Sequence, residues 1–262
     1  MFRADLHCHT TCSDGTLSPE EIVHLAKESG LAGLSITDHD TFAAYETAIP
    51  VAKEIGLLLG AGIEFSSEHQ GESVHILGYD FLLDDPGIAA LCLHHRTRRK
   101  ERNLAILKKL ADHKMFITEE ELKGEGRPHI AACMVKKGYV TTIREAFNLY
   151  IGDGKKCFAK GDAISSQETI DTLHKAGGKA FIAHPHLLSK PAGILKLNFD
   201  GIECRYARFT PDKEKPWLKI AESKKWLASG GSDFHGLMRE DLVLGSSWVD
   251  EKTFNEIFQK PL

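Results

Sequence analysis

At 262 residues, 42% hydrophobic and 27% charged, the chain has room for one large domain or a domain carrying an insertion, and it can bury a full core. No apolar run approaches the roughly 20 residues of a membrane span, and Asp5 and His7 come too early for a secretory leader, so neither a membrane protein nor a secreted one is expected. The net charge of −4 conceals a segregation: residues 86–160 hold 16 Lys and Arg against 8 Asp and Glu, a balance of +8, and the remainder stands at −12.

Phe2–Leu6 reads as a strand. Ser18-Pro19-Glu20-Glu21 is a capping box with Pro at the first helical position, followed by Ile22, Leu25 and Ala26 on one face and Gly30 as terminator. Leu34–Thr37 is the next strand and Phe42–Ile55 the next helix, with Pro50 expected to kink or divide it. Leu57–Phe65 and Ser73–Leu77 are further strand candidates. The rhythm then breaks. Ile88–Leu110 reads as one long helix carrying an arginine cluster at 96–102, whose bland reading is a solvated face. A helical pair follows around Ile130–Lys136 and Ile143–Leu149, and a strand signal returns only at Lys156–Ala159. Beyond it, Ser166–Ala176 and Pro216–Ser223 read as helices, and Lys179–Ala183, Gly201–Cys204 and Trp226–Ser229 as strands. Alternating βα units argue for a parallel α/β barrel or sheet, with residues 1–86 and 161–262 as its two parts and 87–160 as a helical insertion.

The chemistry sits at strand ends. Asp5-Leu6-His7-Cys8-His9, Thr37-Asp38-His39-Asp40, Gly62-Ile63-Glu64, Val74-His75, Ala183-His184-Pro185 and Ser232-Asp233-Phe234-His235 are each an apolar run ending in His, Asp or Glu. His7 and His9 share a strand face by the period of two, so both rings can reach one ion; Cys8 points the other way, as a small core residue. Asp14 sits in a Ser-Asp-Gly turn, where turn chemistry is its bland reading. His39 lies between two aspartates, which would orient its ring and raise its basicity. Glu64 ends an apolar run where a carboxylate is costly to bury without a cation. His75 and His184 could singly be satisfied core histidines. Taken together the bland readings fail: six of 14 histidines, with Glu64, Asp14 and Asp233, would have to reach strand ends by chance. Strand C-termini are where an α/β barrel places chemistry, and this set points to a polynuclear metal centre.

The run from Asp5 to Thr41, with Asp-Leu-His-Cys-His-Thr, Ser-Asp-Gly-Thr and Ile-Thr-Asp-His-Asp-Thr, resembles the PHP (polymerase and histidinol phosphatase) superfamily. Gly62–Ser66, His75–Tyr79, Ala183-His184-Pro185 and Gly230–Gly236 continue the match in order, and the resemblance includes Gly126–Ala131 of the insertion. The resemblance implies a distorted (β/α)7 barrel with three divalent ions (Mn, Fe or Zn). His7, His9, Glu64 and Asp233 would hold one; Glu64 would bridge to a second held by His75 and His184; Asp14, His39 and His235 would hold the third. Phe158-Ala159-Lys160 departs from the family's more usual Tyr-Val-Pro-like stretch.

The implied activity is phosphomonoester hydrolysis on nucleotides, nucleoside 3′,5′-bisphosphates or AMP-like substrates, by water made acidic on the metal. Arg127 offers a bidentate phosphate donor and His129 a hydrogen bond or proton; a plain turn before the helix is their alternative. His186, Arg205 and Lys160 are weaker candidates. Three other readings compete. One is a 5′-3′ exoribonuclease on short RNA, using the same centre and the basic insertion as a strand track. Another is a metal-free interaction module, against which the complete ligand set argues. The last is an amidohydrolase, which would want a bridging lysine that has no placed candidate here. The expected partner is a small phosphorylated nucleotide or short RNA, with no obligatory protein partner and no membrane. Six cysteines without a framework spacing suit the reducing cytoplasm.

Overall fold

The computed structural model describes residues 1–124, 126–162, 164–239 and 241–262. The chain divides into two compact units, Met1–Cys92 with Ile164–Leu262, and Leu93–Ala163.

The larger unit opens with β1 (Ala4–Cys8), α1 (Pro19–Glu28), β2 (Gly33–Ile36), α2 (Tyr45–Ile55) and β3 (Leu58–Leu59), a three-stranded parallel sheet with helical crossovers. The expected capping box starts α1: Glu21 N–H donates to Ser18 Oγ, and the Glu21 carboxylate accepts from Ser18 N–H. Ile22, Val23 and Ala26 bury against Leu34, Ile36 and Ala48. The second helix starts later than expected and runs unbroken through Pro50. The buried Tyr45 hydroxyl accepts from the N–H groups of Ile36 and Gly62 at 3.2 and 2.7 Å, linking β2 to the start of the next strand.

That strand, β4 (Gly62–His69), forms a hairpin with β5 (Glu72–Tyr79). Here the expectation of a wholly parallel sheet fails, because β4–β5 and β5–β6 are antiparallel. The cause is local. Gln70 and Gly71 both take positive φ, 51° and 82°, and close a two-residue turn whose twist suits antiparallel strands.

Helix α3 (Pro86–Asp112) follows, longer than expected by about a turn's worth of residues at its ends. In the smaller unit it is joined by α4 (Arg127–Lys136) and α5 (Ile143–Ala146), which runs into a π-helical turn at Phe147–Ile151. Ile106, Leu110, Ile130, Met134 and Ile151 form its core. Two expectations change here. The α3 arginines are not all solvated, since Arg99 is buried in line with His95 and Asn103, four residues to either side. Lys156–Ala159 is no strand: it folds back as turns, with Cys157 N–H on Tyr150 O and Phe158 N–H on Lys155 O, so two of its N–H groups bond nearby chain rather than a strand edge.

The larger unit resumes with α6 (Ser166–Lys175), β6 (Lys179–Ile182), α7 (Pro191–Ile194), β7 (Gly201–Tyr206), α8 (Pro211–Lys224), β8 (Leu227–Gly231) and α9 (Glu251–Ile257). The last helix, capped by Asp250, had no counterpart in the sequence reading. Strands β6, β7 and β8 are mutually parallel and complete a five-stranded sheet in the order β4-β5-β6-β7-β8. Short links join the two sheets at strand ends. His9 N–H donates to Phe234 O and Asp233 N–H to His7 O; on the other side Asp40 N–H donates to Glu64 O and Glu64 N–H to Asp38 O. These links bring the His- and carboxylate-bearing ends together.

Candidate metal centre

All nine side chains expected as ligands lie in the larger unit and gather around Glu64. Its Oε2 is 3.3 Å from His7 Nε2, 3.2 Å from His9 Nε2 and 3.2 Å from His39 Nδ1. Its Oε1 is 2.8 Å from His75 Nδ1 and 2.9 Å from His184 Nε2. Asp233 Oδ1 stands 3.3 Å from both His7 Nε2 and His9 Nε2. Asp14 meets His235 at 3.4 Å, with His9 and His39 at 3.7 and 3.9 Å.

Among the described residues, three groups able to hold an ion emerge: His7, His9, Glu64 and Asp233; His9, Asp14, His39 and His235; and His39, Glu64 and His75. His9 and His39 each stand in two of them, through opposite ring nitrogens. His184 approaches the last group through its contact with Glu64.

The residues fit metal ions on two counts. Two ligands on an ion with bonds of about 2.0–2.2 Å, at octahedral to tetrahedral angles, stand about 2.8–3.6 Å apart. The four contacts that His7 and His9 make with Glu64 and Asp233, at 3.2–3.3 Å, have that edge length. The second count is protonation. His7 Nδ1 bonds Glu203 at 2.9 Å, so a neutral His7 carrying its proton there turns an Nε2 lone pair on two carboxylates. Only a positive charge, a proton or a metal ion, relieves that arrangement. Buried His9 Nε2 and His39 Nδ1 likewise have no hydrogen-bond partner among the described residues.

The electrostatics agree. Burial alone would raise the carboxyl of Glu64, yet the His39, His75 and His7 rings more than offset it and hold it well below the usual range. Asp14 and Asp233 are held low against burial in the same way, by His39 and His235 and by His7 and His235. Burial disfavours a charged His9, but the Asp233 and Glu64 carboxylates 3.2–3.3 Å from its Nε2 push its pKa up to about 10. Burial lowers His39 to about 3 despite Glu64 and Asp14, against the raised basicity expected for it, so that ring stays neutral, whereas His7 and His9 are raised by the carboxylates beside them.

Backbone conformation helps aim these groups. His184 and Asp233 take positive φ, 26° and 53°, uncommon for residues with a Cβ and concentrated at sites the surroundings over-determine. A Cβ on Gly231 would lie 2.4 Å from His7 N and Cβ, so a glycine is needed for that close approach of β8 to β1.

The aspartates flanking His39 do other work. Asp38 accepts from Thr10 N–H and Oγ1 at 2.7 and 2.6 Å, and Asp40 from Ser66 N–H at 2.8 Å. The carboxylates that meet the His39 ring are Glu64 and Asp14, not its chain neighbours.

Three supporting residues escaped sequence reasoning. Glu203 binds His7, and Tyr206 and Arg239 both donate to Asp233 Oδ2, Tyr206 at 2.8 Å. Glu203 did carry a signal, being a carboxylate in the middle of the buried strand Gly201–Tyr206. Of the weaker candidates, His186 packs its ring on Tyr206 and Phe209 at 4.7 Å.

Arg127 and His129 lie in the smaller unit, on the first turn of α4. Arg127 Nη1 donates to Asp153 Oδ1 at 2.6 Å and to Ile151 O at 3.3 Å, with the guanidinium 5.7 Å from the ring centres of Phe147 and Phe158. His129 is buried.

The PHP domain family matches residues 5–180. A 5′-3′ exoribonuclease of Haemophilus influenzae is 35% identical over 247 residues, 88% of this chain and 89% of that protein. A 3′,5′-nucleoside bisphosphate phosphatase of Chromobacterium violaceum is 29% identical over 252 residues, 90% of this chain and 88% of its own length. The crystal structure of a candidate metal-dependent phosphoesterase from Bifidobacterium adolescentis matches with a TM-score of 0.87 at 31% identity, covering 97% of this chain and 94% of its own. A mixed α/β fold with this cluster, among relatives of this kind, defines a hydrolase. The chain belongs to the PHP domain family, as its motifs implied.

Proposed function

We propose that this metal-dependent phosphoesterase of the PHP family cleaves the bond between O3′ and phosphorus at the 5′ end of short, 5′-phosphorylated RNA, and the same bond in nucleoside 3′,5′-bisphosphates. A bisphosphate is the smallest such RNA end, so one site suits both. AMP, with no 3′-phosphate, is then a product. The convergence of nine ligating side chains on and around Glu64 carries the hydrolytic reading. The relatives of both kinds and the +8 balance of residues 86–160 support a nucleotide polyanion as substrate.

In this reading the site holds three divalent ions (Mn, Fe or Zn), with His7, His9, Glu64 and Asp233, then Glu64, His75 and His184, then Asp14, His39 and His235 as ligands. When bound, the ions supply an acidic water and positive charge for the phosphate oxygens. The chain's own groups orient and exclude. Glu64 spans two groups with its two oxygens, Tyr206 and Arg239 hold Asp233 by the oxygen turned away from His7 and His9, and burial of His7, His9 and Glu64 keeps bulk water off them. Arg127 and His129 are assigned to substrate phosphate. Strands β1, β2 and β4 to β8 are read as seven staves of a distorted (β/α)7 barrel, in two parts, 1–86 and 161–262, around a helical insertion at 87–160. Free cysteines throughout suit a cytoplasmic place.

The test is a turnover panel under Mn²⁺ with 5′-phosphorylated and 5′-hydroxyl short RNA, a nucleoside 3′,5′-bisphosphate, AMP and histidinol phosphate. Stepwise release of 5′-mononucleotides, and orthophosphate from the bisphosphate, is expected. Orthophosphate from AMP with no cleavage of RNA would restore a simple phosphomonoesterase.

A further inference from the structure

Glu203 lies in the middle of β7, beside a bulge in the β7–β8 ladder between Glu203 and Arg205, and is 1% exposed. Its two oxygens go to different places. Oε1 is 2.9 Å from His7 Nδ1, and Oε2 accepts the backbone N–H of His184 at 2.6 Å. His7 faces Glu64 and Asp233, whereas His184 meets the other oxygen of Glu64, beside His75. One carboxylate therefore touches both sides of the Glu64 bridge. We propose that Glu203 is a positioning residue that couples two of the ion sites, setting the ring of His7 with one oxygen and the backbone of His184 with the other. The inference rests on the reading of these histidines as metal ligands.

The two bonds act by different means. With its proton on Nδ1 and bound to Glu203, the His7 ring presents Nε2 as a lone pair, the tautomer and orientation that an ion between Glu64 and Asp233 requires. At His184 the bond fixes main chain. That residue sits at φ 26°, a conformation a non-glycine residue holds only when its surroundings enforce it, and its Nε2 position depends on that backbone. A carboxylate meets both demands because it accepts at both oxygens. An amide cannot: whichever way Gln lies, one of the two N–H groups meets a donor. Turned with its NH₂ toward His7, it would also drive the ring proton to Nε2, into the ligand position. Tyr206 offers the internal contrast, since its hydroxyl bonds Asp233, on the His7 side of the bridge.

The experiment follows the ring ¹⁵N signals of His7 and His184 separately while Zn²⁺ is added to the full chain, for wild type, Glu203→Gln and Tyr206→Phe. Glu203→Gln should weaken both responses, each by about 10–100-fold in apparent affinity, the scale of an outer-shell partner. Tyr206→Phe should weaken the His7 response alone. Should the Gln variant not fold, Glu203→Asp keeps the charge but is a methylene too short to serve both bonds, and should again weaken both. Loss at one histidine alone, or at neither, overturns the coupling. Wild-type rings that ignore Zn²⁺ would instead overturn the metal reading beneath it.

Discussion

Glu64 and His75 are diagonal neighbours across the β4–β5 hairpin. Glu64 pairs with Leu77 and Ser66 with His75, so the two side chains share a sheet face and meet at 2.8 Å. The turn at Gln70-Gly71 sets that register. A slip by one residue would put His75 on the other face, so a short loop outside the site decides whether two ligand groups can share Glu64.

Glu64→Gln tests the bridge directly. The amide keeps the shape and removes the charge that five imidazoles surround. Metal content should fall at two positions, and turnover by more than about 100-fold, beyond the loss of an outer-shell partner. Full stoichiometry by elemental analysis, with full activity, would refute the shared-bridge assignment.

Asp14→Ala and His39→Ala should differ. Asp14 belongs to one candidate group and His39 to two. The Asp14 variant should lose one ion per chain and keep the pair around Glu64. The His39 variant should lose the same ion and also weaken its neighbour. If both lose every ion at once, the groups are not separable as drawn.

Gly231→Ala places a Cβ 2.4 Å from His7 N and Cβ, inside van der Waals contact. Strand β8 must then move from β1, at about 1–3 kcal/mol of stability, the usual scale of overpacking. Chemical denaturation should register that loss, and Zn²⁺ affinity should fall with it because His7 moves. An unchanged midpoint would mean that the two strands separate freely.

Arg127→Lys keeps the charge and loses the planar fork. If Arg127 grips substrate phosphate, kcat/KM should fall by about 1.5–3 kcal/mol of transition-state binding while metal content stays constant. The loss should be larger on a bisphosphate than on an aryl phosphate where the second phosphate is what it reads. Arg127 is also held by Asp153 and packed against Phe147 and Phe158, so thermal melting should be followed in parallel. A lower melting temperature with wild-type kinetics on both substrates would make it a structural residue of the smaller unit.

Strand and helix placement was largely legible because burial has a period. Ile22, Val23 and Ala26 recur on one face of α1, and Ser18 and Glu21 mark its start by the hydrogen bonds they make. Direction was less legible. An apolar run reads the same whether its neighbour is parallel or antiparallel, and β5 was reversed by a Gln-Gly turn that lacks the strongest hairpin signals. Lys156–Ala159 looked like a strand from its residue types, but strand formation needs a partner edge, and the N–H groups of Cys157 and Phe158 found acceptors in nearby chain.

By itself the sequence determined which side chains gather at the candidate centre, because imidazoles and carboxylates at the ends of apolar runs are too costly to bury without shared positive charge. It could not determine their grouping. His9 and His39 each face two groups through opposite ring nitrogens, and that follows from how β1, β2 and β4 meet at their ends. Nor did it mark out the residues that hold these side chains in place. Glu203, Tyr206 and Arg239 act through hydrogen bonds to His7, His184 and Asp233 that span up to 196 positions of chain. Residue chemistry is written locally, whereas a hydrogen bond between distant residues exists only once packing has brought donor and acceptor within about 3 Å.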